Sequence, residues 1–336
     1  MDTKLTIQNI ADMAGVSKST VSRYLNEGYI SEEKAEKVKK AIAATGFKSN
    51  FFAKRLKMRQ SKLIGIVLPR MDSVTVGRLF MGINRVLEPA GYQGLLLVSQ
   101  LQKKRELANI ISLQRQGVDG ILVDSVGITP EHLQLVKSMT LPMVFTGQQH
   151  EAVHYVKLND IGAGRMMGAY IKQKGHQRVV FAGVTPTDQA VGQERRQGFE
   201  EAFRENNPAA RVIFVETGFD FRAAYSKGDQ ILAARPTAVV CATDNIGLGL
   251  LRYFHEQGID VPGEISVAGF GGYDIGAVTY PALTTIAFDY EQAGMRAAQG
   301  LLELLEGQEM VSDSNLPLFF VERESVRKID KKQTCS

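Results

Sequence analysis

The sequence predicts two fold classes in one chain. An all-α helix-turn-helix headpiece comes first, followed by an α/β core of two lobes, each a parallel sheet with helices on both faces. Three observations carry this. Leu5 to Leu25, LTIQNIADMAGVSKSTVSRYL, reads as two short helices around a tight turn. From Lys62 on, near-continuous apolar strands alternate with amphipathic helices, the pattern of sheets buried on both faces. That alternation runs twice, and 336 residues are too many for one ordinary domain.

In the first stretch, Ile7, Ile10 and Ala11 share one helical face up to Met13. Ala14-Gly15-Val16 makes the turn, because Gly15 takes positive φ without a Cβ penalty. Ser17 is a suitable N-cap for the second helix. Val21 and Leu25 point inward, while Lys18, Ser19, Ser22 and Arg23 point outward. A third helix runs from Glu32 to Thr45 behind Ser31, with Ala35, Val38 and Ile42 inward, and Gly46 closes it. Asn50 can cap one further short helix, Phe51 to Lys57.

In the core, strands are expected at Leu63–Leu68, Gly94–Ser99, Val118–Val123, Met143–Thr146 and Val153–Leu158. A second series follows at Val179–Gly183, Val212–Val215, Ala238–Ala242, Ile265–Phe270 and Thr284–Phe288, with a last helix at Glu291–Glu306. The expected domains are residues 1–48 (headpiece), 49–61 (hinge helix and linker), 62–158 with 290–318 (first lobe), 159–289 with 319–330 (second lobe), and a disordered tail, 331–336.

Charge is unevenly placed. Residues 1–60 hold 12 Lys+Arg against 6 Asp+Glu, a balance of +6, and the remainder balances to −2. The basic character belongs to the headpiece, where a polyanion would bind. No apolar run approaches the ~20 residues that span a bilayer, and the opening residues lack the plan of a signal peptide. The two cysteines, Cys241 and Cys335, lie far apart and make no disulfide framework or zinc spacing, which fits the cytoplasm. No cofactor, metal or catalytic residues are read. Gly162-Ala-Gly164 lacks the strand-to-helix context of a nucleotide loop and reads as close packing. His176 reads as a structural turn residue, and no G-x-S-x-G elbow is present.

The segments LTIQNIADMAGVSKSTVSRYLN and GFKSNFFAKRLK resemble the headpiece of the LacI/GalR family of transcriptional repressors. The resemblance continues through GHQRVVFAGV, RRQGF, ATDNIGLG and ISVAGF to nearly the whole chain, and it implies a core like the periplasmic sugar-binding proteins. Asn9 stands where the family usually has an acidic residue, and Ser49 where it often has proline. The resemblance implies that Phe51–Lys57 folds as a hinge on DNA and wedges Leu56 into the minor groove, with Ala53 one turn before it. An ordinary linker leucine is the alternative for Leu56. Candidate DNA contacts are Thr6, Ser17, Lys18, Ser19, Thr20, Ser22, Arg23, Asn26, Tyr29, Ser31, Asn50, Ala53 and Leu56.

Ligands of open α/β sheets bind beyond the carboxyl ends of strands. Residues there are Arg70, Asp72, Ser73, Gln148, Arg195, Phe219, Asp244, Asn245, Gly271, Tyr273 and Tyr290, and these are the candidate effector contacts. Planar polar groups with an aromatic face suit a sugar. The resemblance implies that Arg195, in the R-x-x-G-F pattern, contacts effector, and that Gly271 and Gly272 replace a common acidic residue. LPRMDS, GVTPTDQAVGQERRQGF and CATDNIGLG are most similar to the disaccharide-responsive branch of sucrose- and trehalose-type repressors. Two arginines in one cleft suit a sugar phosphate, including a disaccharide phosphate. The alternative is that Arg70 pairs with Asp72 or Glu88 and touches no ligand.

The expectation is a cytoplasmic homodimeric repressor of carbohydrate utilisation, bound to double-stranded operator DNA and released by a sugar or sugar-phosphate effector. The rivals are a stand-alone sugar-binding protein and a sugar-processing enzyme with an appended DNA-binding domain. The chain ends ESVRKIDKKQTCS, without the leucine heptad tail by which tetramers of the family assemble, so a dimer is expected.

Overall fold

The computed structural model describes residues 5–25, 28–45, 47 and 60–329. The chain divides into two units, Met1–Ser61 and Lys62–Ser336.

The first unit contains α1 (Ile7–Ala14), α2 (Lys18–Leu25) and α3 (Glu32–Thr45). Thr6 and Asn9 form a capping box at the start of α1: Asn9 N donates to Thr6 Oγ1 (3.3 Å) and Thr6 N donates to Asn9 Oδ1 (2.9 Å). Gly15 has φ +63°, and Val16 N donates back to the Ala11 carbonyl (3.0 Å), which closes α1 and starts the turn. Ile10, Ala11, Ala14, Val21, Val38 and Ala41 make a small buried core. Ala41 joins it although the expected inward face of α3 named Ala35, Val38 and Ile42, and Ala35 and Ile42 are half-buried.

The second unit holds two sheets. The first has strand order β2-β1-β3-β4-β5, all parallel: β1 Leu63–Leu68, β2 Gln93–Val98, β3 Gly120–Asp124, β4 Met143–Thr146 and β5 His154–Val156. The second has order β11-β10-β9-β8-β6-β7: β6 Arg178–Gly183, β7 Arg211–Glu216, β8 Ala238–Cys241, β9 Ser266–Gly271, β10 Thr284–Phe288 and β11 Leu318–Val321. Its edge departs from the expected all-parallel plan, because β11 runs antiparallel to β10. β11 is a short apolar run, LFFV, too brief to show its direction in the sequence.

Helices cover both sheets: α4 Val74–Leu87, α5 Lys103–Arg115, α6 Pro130–Ser138, α7 Asp160–Gln173, α8 Arg195–Arg204, α9 Phe221–Tyr225, α10 Gly228–Ala233, α11 Asp244–Glu256 and α12 Tyr290–Leu305. Three features depart from the reading of the sequence. α6 is an additional helix, started by Pro130 in its first turn and a capping box of Thr129 with His132. Arg222–Ala234 reads in the sequence as one helix, but the structure breaks it into α9 and α10. A π-helical turn, Gln189–Glu194, precedes α8.

The chain passes between the sheets after β5, after β10 and after α12. Close crossing of helices rests on glycines. A Cβ on Gly294 of α12 would lie 2.0 Å from the Leu79 carbonyl oxygen of α4. One on Gly164 of α7 would lie 2.2 Å from that of Arg195, so the Gly164 of the set-aside glycine motif is a packing residue. Phe181, Phe199 and Phe203 are fully buried behind this contact, each contributing about 1.5–3 kcal/mol by burial.

Candidate ligand cavity and nucleic-acid interface

α2 presents Lys18, Ser19 and Arg23 exposed, with Ser17 before it, while Thr20 and Ser22 are half-buried. Ser17 Oγ takes the N-cap position, accepting from Thr20 N (3.2 Å) and bonding Ser19 Oγ and Thr20 Oγ1 (2.8 Å each). Among the described residues Lys18 and Arg23 have no ion-pair partner. A polar helix face with two uncommitted cations is what a DNA groove requires. Thr6 is exposed but its hydroxyl is engaged with Asn9 Oδ1 (2.6 Å). Tyr29 is 94% exposed and Ser31 exposed. Asn26, Asn50, Ala53, Leu56, the expected hinge helix and the expected tail lie outside the described residues.

In the core, a cavity of about 140 Å³ opens where the carboxyl ends of both sheets face each other. The first sheet contributes Arg70 and Ser73 after β1, Asp124 and Ser125 at the end of β3, and Thr146 and Gln148 from β4. The second contributes Asp188 and Arg195 after β6, Phe219 after β7, Asn245 after β8, Tyr273 after β9 and Tyr290 after β10.

Arg195 is 3% exposed and held on several sides. Its Nε donates to Asp160 Oδ1 (2.7 Å), its Nη1 to the Ala242 carbonyl (2.7 Å), and its Nη2 to the Tyr290 hydroxyl (3.5 Å). The guanidinium lies 4.7 Å from the Phe288 ring centroid. Burial opposes its charge, but the Asp160 carboxylate and Tyr290 outweigh burial and hold its pKa above the usual value. Burial likewise pushes the Tyr290 hydroxyl up.

Arg70 sits at the rim. Its Nε and Nη2 donate to the two oxygens of Asp72 (2.6 and 2.8 Å), and its guanidinium lies 5.6 Å from the Phe219 ring. The pairing anticipated as an alternative is therefore present, and Arg70 also lines the cavity. The Arg70 hydrogen bond lowers the Asp72 pKa, and Asp72 raises that of Arg70.

Three expected contacts stand off the cavity wall. The Asp72 side chain is 73% exposed and turned to Arg70. Asp244 is fully buried beneath the wall, accepting from Tyr273 N (2.8 Å) and Thr285 Oγ1 (2.6 Å), so it anchors the loop after β9. Gly271 has φ +140°, and a Cβ there would lie 2.5 Å from the Tyr273 ring. A side chain at Gly271 would displace the tyrosine that does line the cavity, a physical reason for glycine in place of an acid.

Asp124, Ser125, Thr146, Asp160 and Asp188 also line the cavity, beyond the candidate contacts named from the sequence. Their signal was position at strand ends, which does not separate wall from support. Burial raises Asp124 to about 7 against a Thr146 hydrogen bond, with Glu106 and Asp188 adding to the rise. Burial raises Asp188 to about 6. Behind them Glu106 and His132, both buried, meet at 2.9 Å, and Ser125 Oγ donates to Glu106 (2.7 Å).

Residues 6–50 match the family model for bacterial regulatory proteins of the lacI family, and residues 169–326 that for a periplasmic binding protein-like domain. The chain is 33% identical over 304 residues to the sucrose operon repressor of Staphylococcus xylosus, covering 90% of this chain and 94% of that one. It is 27% identical over 310 residues to the transcriptional regulator TreR of Escherichia coli K12, covering 92% and 96%. A lac repressor dimer bound to operator and the anti-inducer ONPF superposes with TM-score 0.85 at 22% identity, over 97% of this chain and 100% of that one.

Proposed function

Because the chain belongs to the LacI family of bacterial regulatory proteins, we propose that it represses carbohydrate-utilisation genes and leaves its operator when a sugar or sugar phosphate enters the core cavity. It is a DNA-binding transcriptional repressor of the disaccharide-type branch. The observation that carries the sugar reading is the cavity itself: Arg195 is braced by Asp160 between aromatic rings, with Gln148, Asn245 and Tyr273 around it. Such planar polar groups suit adjacent hydroxyls.

The headpiece reads DNA through α2. Lys18, Ser19 and Arg23 are its base or phosphate contacts, with Ser17, Thr20, Ser22, Asn26, Tyr29, Ser31 and Thr6 as supporting contacts. Asn50, Ala53 and Leu56 supply the hinge, with Leu56 as the minor-groove wedge. Two copies meet a pseudo-palindromic operator, so protein and site share a two-fold axis. Ile275, Val278 and Tyr280, exposed in one loop, support an apolar contact between copies. Effector acts by binding one of two lobe arrangements better, a coupling typically worth ~1–3 kcal/mol. The reading is of a cytoplasmic regulator, not an enzyme; its relatives are named as regulators, and no described helix is long and apolar enough to cross a membrane.

A gel shift with DNA upstream of its own gene, with and without sugars, tests this. A shift that one sugar reverses is expected; no shift under any condition favours a stand-alone sugar-binding protein. Leu56→Ala should weaken operator binding and leave sugar binding intact. Replacing Lys18 should relax sequence preference if it reads bases, and weaken all DNA alike if it holds phosphate.

A further inference from the structure

The cavity is not uniform along its length. At the rim after β1, Arg70 spends Nε and Nη2 on Asp72. At the end of β3 and after β4 of the first sheet, and after β6 of the second, acceptors line the wall: Asp124, Gln148 and Asp188. Asp124 accepts from Thr146 Oγ1 (2.8 Å) and Asp188 from Val191 N (2.9 Å), and among the described residues neither carboxyl has an ion-pair partner. Gln148 is 2% exposed, and its buried Oε1 has no hydrogen-bond partner. A buried acceptor without a donor is costly, and a ligand that brings the donor recovers the cost. An anion there would meet acceptors and carboxyl groups, with the charge of nearby Arg195 already matched by Asp160; a hydroxyl hydrogen would meet what it needs.

We propose that this end of the cavity takes an uncharged sugar ring through its hydroxyl hydrogens, and that Gln148 is the specificity-determining residue that reads one of them. The inference rests on the cavity being the effector site. It orients the ligand, since a phosphate group would have to lie at the Arg70 end.

The test is calorimetric titration of the full-length protein with sucrose, trehalose, cellobiose and their 6-phosphates, followed by a monodeoxy series of whichever binds best. Gln148→Leu and Gln148→Met both remove the acceptor, and the second keeps the side chain's length should the first fail to fold. One deoxy position is expected to weaken binding to the unaltered protein about tenfold or more. The same position is expected to make no difference to either variant. If every deoxy analogue loses the same factor with and without Gln148, the assignment is overturned while the sugar site stands. If none of the sugars binds the unaltered protein, both the assignment and the effector reading fall.

Discussion

The cavity's two arginines show how much the surroundings of one residue type decide. Arg195 is enclosed with Asp160, the Ala242 carbonyl, Tyr290 and the Phe288 ring. Arg70 is paired with one carboxylate whose side chain is 73% exposed. A buried pair stripped of one partner leaves an uncompensated charge, whereas a pair with one partner in water, as Asp72 is, is screened. Arg195 is therefore part of the framework as well as the cavity, while Arg70 is a group the framework can do without. The same contrast separates Asp160, braced by Arg195, from Asp124, which has no ion-pair partner among the described residues.

Removing the braced arginine is the strongest way to probe the contrast. Arg195→Ala should destabilise the core by about 3–5 kcal/mol, because Asp160 is left buried and charged. Denaturant unfolding measures this, and a loss below about 1 kcal/mol would break the distinction.

Asp124 sharpens it next, through pH. Its folded pKa of about 7 lies above the ordinary 3.8, so the folded state holds the extra proton. Its contribution is full below about pH 4 and is lost as pH rises towards about 7. Asp124→Asn should remove that slope and gain about 1–3 kcal/mol relative to the unaltered protein at pH 8. Only the difference between the two isolates Asp124. Asp188, raised to about 6, tilts stability the same way. His176, lowered to about 4 by burial, tilts it the other way between its pKa and the ordinary 6.5.

A smaller effect is expected where the lobes touch outside the cavity. Arg78 of α4 donates to the Gly272 carbonyl (3.0 Å) and to Asp274 (2.9 Å), tying that helix to the segment after β9. Arg78→Ala should cost about 0.5–1 kcal/mol in stability, and should change effector affinity a few-fold if lobe closure accompanies binding. The smallest stability effect belongs to the rim: Arg70→Ala should change unfolding by no more than about 1 kcal/mol. Effector affinity measured on the same variant separates a ligand contact from an idle pair.

Much of this architecture was legible in the chain. Local signals sufficed for the three described headpiece helices, since Gly15 permits positive φ, Ser17 caps α2, and Ile7, Ile10 and Ala11 share one face of α1 at helical spacing. Apolar runs placed β1, β4 and β10 at their observed bounds. Where periodicity was weak the reading faltered, as with α6, whose start depends on Thr129 and His132, and with β11, an edge strand only partly buried.

The sequence by itself determined which loops would face the cleft, because ligands sit at the carboxyl ends of parallel strands. Its composition showed that the headpiece was basic. Only the tertiary structure decided which side chains at those loops face the cavity and which hold it up. Asp244 looks like Asn245 in sequence, yet it is buried beneath the loop while its neighbour lines the wall. Asp160 and Arg195 are thirty-five positions apart and meet at 2.7 Å. The reason is physical: a strand end specifies where the chain emerges, but the direction of each side chain depends on what the other sheet brings against it.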